Sequence, residues 1–149
     1  MDNTKVISTL NSLIETLKDG EEGFRTAAEG LTDPQAKAVF QQYSRERAQM
    51  AQELQAEVRT LGGDPEQAGS MSGSVHRGWI NIKSAVTGKD DASIISEAER
   101  GEDVAKRAYE EALTASLPAS AAALVSRQAV QVRAAHDKVR SLERSFTGR

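Results

Sequence analysis

The sequence predicts an all-α fold made of two long helical hairpins joined by a long connection. Three observations predict it. Four stretches, each about two dozen residues, place apolar side chains at steps of three and four, the period of an amphipathic helix. Around Gly30–Pro34 and around Pro118–Ser120, neighbouring stretches are separated by only a few residues, a turn between antiparallel helices. From Gly62 to Asp90, by contrast, runs a Gly- and Ser-bearing connection too long for a hairpin turn.

Composition sets the bounds. With 149 residues, the chain suits one domain over 1–149 with a substantial core. Its 38% hydrophobic and 28% charged residues fit a folded helical protein and not a disordered one. There is no Cys, which excludes disulfides, thiolate metal sites and cysteine nucleophiles, so any metal ligands must be carboxylates or imidazoles. No apolar h-region follows Met1, and no apolar run reaches the roughly 18 residues of a membrane helix. The expectation is a cytoplasmic protein with no membrane partner. The net charge of −3 is unevenly spread. From Ser120 onward, six Lys and Arg stand against two Asp and Glu, a local +4 that leaves −7 for the rest. That asymmetry predicts pairing within the molecule.

The first helix should run from about Thr4 to Glu29, with Asp2, Asn3 or Thr4 as cap. Val6, Leu10, Leu13, Ile14, Leu17, Phe24 and Ala28 form its apolar face, and Gly20 or Gly23 marks a close approach. Gly30 stops it. Asp33 and Pro34 then supply a cap and an N-terminal proline for the second helix, which should reach Leu61 before Gly62-Gly63. Ala36, Val39, Phe40, Tyr43, Met50, Leu54, Val58 and Leu61 are its apolar face, broken at the centre by Glu46 and Arg47. Within the connection, Val75, Trp79, Ile82 and Val86 at helical spacing predict a short helix over Ser74–Thr87, capped by Ser72 or Ser74. Trp79 should anchor the connection on the core. The third long helix starts at Asp90 or Asp91 and ends before Pro118. The fourth is capped by Ser120 and keeps Val125, Gln128, Val132, Ala135, Val139, Leu142 and Phe146 in one seam. A long connection lets the third long helix run parallel to the second. Four helices with one long crossover are the ferritin-like arrangement.

Acids then appear where a helix of this kind should carry oil. In the third long helix, Ile95, Ala98, Ala105, Tyr109 and Ala112 share a stripe, and Glu102 sits in its middle. A carboxylate there must be paired, bound to metal, or exposed. Matching levels across the hairpins places Glu21 near Tyr43 and Glu46, and Glu102 near Ala135–His136. Glu21, Glu46, Glu102 and His136 then approach one slab, a set of hard ligands suited to iron or manganese. The di-metal pattern asks further for Glu-x-x-His on two helices, and the corresponding positions here read Glu46-x-x-Gln49 and Arg133-x-x-His136. The competing reading is an ion-pair network, with Arg133 neutralising Glu102 and Arg47 neutralising Glu21 or Glu46. His76 reads as a surface or packing residue, Tyr43 and Tyr109 as core residues with hydroxyl partners. The basic face of Arg133, Arg140 and Arg144 reads as solvated.

Leu61-Gly62-Gly63-Asp64-Pro65, Gly69-Ser70, His76-Arg77-Gly78-Trp79, Glu99-Arg100-Gly101-Glu102-Asp103 and His136-Asp137 together resemble an uncharacterised bacterial family of ferritin-like four-helix bundles, a domain of unknown function. The resemblance spans nearly the whole chain. It implies the ferritin-like fold and a bacterial source, and no established activity. Three functional expectations result. The first is a non-catalytic or weakly metal-binding bundle, stress-related and acting through assembly as a homo-oligomer, with a dimer expected. The second is an oxidase-like or iron-handling protein holding iron or manganese at Glu21, Glu46, Glu102 and His136. The third is a DNA-binding bundle, disfavoured by the net negative charge.

Overall fold

The computed structural model describes residues 3–66, 78–88 and 90–147. The described residues form five helices and no strand: α1 (Asn3–Gly30), α2 (Pro34–Thr60), α3 (Ile82–Thr87), α4 (Asp91–Thr114) and α5 (Ala119–Thr147). Local caps explain three of the boundaries. The Asp33 carboxylate accepts from the Ala36 N–H at 2.9 Å, and Pro34 opens α2. Gly62 ends α2 in the left-handed region, at φ 85°, a conformation that glycine adopts without strain. Asp90 accepts from the Ala92 N–H at 3.3 Å and from the Ser93 hydroxyl at 2.8 Å.

Two expectations need correction. Ser120 lies inside the first turn of α5 and does not cap it; its hydroxyl donates to Glu57 on α2 at 3.2 Å. The short helix starts at Ile82, after Asn81, so Trp79 precedes it as part of the entering turn. The Ser72 and Ser74 caps, Val75 and His76 lie outside the described residues.

Helix α1 packs on α2 and on α4, and α4 packs on α5, whereas α2 and α5 touch sparsely. Asp91, at the start of α4, lies beside the α1–α2 turn. The far end of α4, Ala105–Ala112, shares a cluster with the start of α1. Helices α1 and α4 are therefore antiparallel, and α2 and α4 run in the same direction across a diagonal. The turn is held by one carboxylate. Asp91 accepts from the Thr32 N–H, the Thr32 hydroxyl and the Asp33 N–H, each at 2.9 Å. Burial raises its pKa, but those donors outweigh burial and leave it below the usual carboxylate value.

The core falls into two compartments. One gathers Leu10, Leu13, Ile14, Leu17, Leu54 and Val125, with Tyr109 the one aromatic ring among its described residues. The other lies toward the α1–α2 turn and centres on Phe24, whose ring meets Phe40, Tyr43 and Trp79 edge-on at 5.1, 5.4 and 4.9 Å. Trp79 is buried between Gly23 of α1 and Gly101 of α4; a Cβ on either glycine would overlap the indole. The predicted close approach at Gly23 is thus that of a side chain. The preceding residue, Gly78, has φ +94° and lies so near α4 that a Cβ would sit 2.8 Å from the Arg100 carbonyl oxygen. Buried Glu97 accepts from the Asn81 N–H at 2.6 Å and fastens the same turn to α4. As expected, Trp79 anchors the connection.

Candidate functional site

Between the two compartments lies an ion pair that crosses the diagonal from α2 to α4. The Nη2 of Arg47 donates to Oε2 of Glu102 at 2.7 Å, with the side chains 2% and 0% exposed. The pair depends on the helices around it. Arg47 follows Tyr43 by one turn on the inward face of α2, and Glu102 sits mid-stripe on α4. Its guanidinium carbon stands 5.3 Å from the centre of the Phe24 ring, within cation–π range. Gly20 leaves room for it, since a Cβ there would lie 3.2 Å from Nη1. Burial disfavours the Arg47 cation, but the charge and hydrogen bond of Glu102 outweigh it and hold the pKa above the ordinary value. Nη1 of Arg47 and Oε1 of Glu102 are buried without hydrogen-bond partners among the described residues.

The four sequence-predicted ligands do not share one site. Glu21 pairs with Lys18 at 2.9 Å, with its side chain 32% exposed. Glu46 accepts from Gln42 at 3.0 Å along the flank of α2. Glu102 takes Arg47, and His136 takes Asp103, Nε2 to Oδ1 at 2.7 Å. The level matching holds for the backbone, since the Ser44 hydroxyl donates to the Glu21 carbonyl at 2.8 Å. It says nothing of where side chains turn. Two pairings also need correction. Arg47 neutralises Glu102, not Glu21 or Glu46, because it points across the diagonal and not along its own helix. Arg133 approaches Glu110 at 3.8 Å on an exposed face and does not reach Glu102. Among the described residues, no group of three His, Asp or Glu side chains is placed to hold a metal ion.

Other polar residues reinforce the seams. The Tyr109 hydroxyl donates to Gln128 Oε1 at 2.6 Å, so this tyrosine has the expected partner, and burial pushes its pKa up. Gln128 in turn donates to the Met50 carbonyl at 3.1 Å and to Glu53 at 3.0 Å, tying α5 to α2. Tyr43 is also raised, first by burial and then by the charges of Glu46 and Glu102. On the α4–α5 seam, His136 is 3% exposed and its Nδ1 lies 3.3 Å from Asp137. One helical turn before Asp103 is Glu99, whose pKa is pushed up to about 7. A hydrogen bond with Glu143 is the main cause, followed by burial and the charges of Glu143 and Asp103, with Arg140 opposing. Sequence reasoning missed Asp103, Glu99 and Glu143. The level matching that set Glu102 beside His136 could have found Asp103, one residue away.

A family model matches residues 5–115, from α1 to just past the end of α4, and its description is a domain of unknown function (DUF2383). The chain belongs to that family. No curated protein matches.

Proposed function

From membership of this family and the geometry above, we propose a ferritin-like four-helix bundle that carries its own cation in its core and acts through assembly, not through redox chemistry at a metal. The observation that carries this reading is the Arg47–Glu102 pair. In a di-metal bundle, core carboxylates converge on metal cations. Here the most buried carboxylate is already neutralised by a guanidinium, whose charge would repel an incoming metal ion. Glu21, Glu46 and His136 are engaged elsewhere, so the residues do not fit an iron or manganese pair. Assembly is supported by the outer face of α4 and α5. Leu113 and Val130 are 47% and 70% exposed there, beside a groove of about 210 Å³ floored by Tyr109 and Val132.

The test combines two measurements on the full chain. Protein purified without chelator should contain no stoichiometric iron or manganese, and anaerobic titration with either should not raise its melting temperature. Light scattering after size exclusion should give a dimer whose population falls on Val130→Asp. One or two equivalents of bound metal, lost on Glu102→Ala, would overturn the chemical half of the reading. A monomer at every concentration would overturn the assembly half.

A further inference from the structure

Three large apolar side chains stand exposed among the described residues, Ile80, Leu113 and Val130, and the last two line a single groove between α4 and α5. Helical spacing gathers what surrounds them. Lys106, Glu110 and Leu113 follow one another by a turn on α4, and Ser126, Val130 and Arg133 do so on α5. The face therefore holds a projection and a recess together. Val130, 70% exposed, stands beside a recess of about 210 Å³ floored by Tyr109 and Val132. A patch that supplies both halves of a fit suits a two-fold contact between identical chains, in which each copy offers the same surface. The charges on its rim are self-complementary too, with Lys106 and Arg133 as cations and Glu110 as an anion. Within one chain, Arg133 Nη2 stands 3.8 Å from Glu110 Oε2, with the side chains 66% and 53% exposed. That separation exceeds the roughly 2.7–2.9 Å of a charge-assisted hydrogen bond, so both groups keep bonding capacity for a closer partner.

Resting on the assembly reading above, we propose that a second copy of this chain docks on this face about a two-fold axis. Val130 of each copy enters the recess of the other, and Glu110 of each copy meets Arg133 of the other. The apolar contact supplies affinity, and the two exchanged ion pairs fix the alignment and reject others. Reversing either charge sets like charges together twice in every dimer. Arg133→Glu leaves only acids at these two positions, and Glu110→Arg leaves only cations. The two variants are therefore mismatched with themselves and matched with each other.

Analytical ultracentrifugation of the full chain tests the docking. Each variant alone should show a dimer Kd raised about tenfold or more. An equimolar mixture should recover dimer, captured as a heterodimer through a tag on one variant. Recovery on mixing also shows that both variants are folded. Variants that dimerise alone as tightly as the unmodified chain would overturn this docking and leave assembly standing through another face. Variants that weaken alone and stay apart on mixing would overturn it as well. An unmodified chain that is monomeric at every concentration would overturn assembly itself, and this docking with it.

Discussion

The two core compartments fill the same kind of space in different ways. The mainly aliphatic one, from Val6 to Val132, is dominated by branched chains that fit by volume. The aromatic one uses rings set edge-on around Phe24, with an indole passing over two glycines. Volume-conserving exchanges are tolerated in the first kind of packing, whereas a planar slot without Cβ atoms tolerates almost no addition. The Arg47–Glu102 pair between them belongs to neither, and it touches the aromatic side through Phe24. The difference shows where this bundle is specified by shape and where by hydrophobicity alone.

The largest expected effect comes from breaking the boundary between them. Glu102→Gln leaves a guanidinium in the core without its counter-charge and should cost about 3–5 kcal/mol in urea unfolding. The double change Arg47→Met, Glu102→Leu should regain most of that loss, because two apolar chains replace two desolvated charges. If the double variant is as unstable as the single one, the pair is needed for more than its charge balance.

The next effect separates the compartments directly. Gly101→Ala puts a methyl group into the indole plane and should cost about 1–3 kcal/mol. Trp79 is the chain's one tryptophan, so its emission should shift to the red as it leaves the slot. Leu13→Met in the aliphatic compartment should cost under about 1.5 kcal/mol and leave the emission unchanged. Equal costs would erase the distinction drawn here.

Much of this arrangement is legible in the residues. The stripe at Ile95–Ala112 sets Glu102 on the core-facing side of its helix and leaves open whether it is paired, metal-bound or exposed; it is 0% exposed and paired. The Asp33-Pro34 pair marks the start of α2, and the Gly- and Ser-bearing stretch marks the long connection. The partner of Glu102 was not legible, for a physical reason. Helical periodicity states which face a residue occupies, but a long arginine side chain can reach along its helix, to a neighbour or across the diagonal. Gly20 was the available hint, because a gap opposite a long cation lets it turn inward. Trp79 was placed correctly on the core and wrongly on a helix, since Val75, Trp79, Ile82 and Val86 keep helical spacing without α3 extending back to Trp79.

Smaller effects sharpen the picture. Tyr109→Phe removes the donor to Gln128 Oε1 in an otherwise aliphatic compartment. The expected cost is about 1–3 kcal/mol by thermal unfolding, since a buried acceptor is left unsatisfied. At the surface, Lys18→Ala deletes the partly exposed pair with Glu21 and should change stability by under about 1 kcal/mol. A loss of several kcal/mol there would mean that Glu21 belongs to the interior after all.

Asp91 has a consequence for how the halves of the chain find each other. By gripping three donors of the 32–33 segment, it gives the second hairpin a docking mark on the first that does not depend on the covalent thread between Thr60 and Ile82. Fragments 1–66 and 78–149, made as separate polypeptides, would carry both sides of that mark. They should reassociate in the native alignment, and Asp91→Ala should weaken their recognition more than it weakens the intact chain.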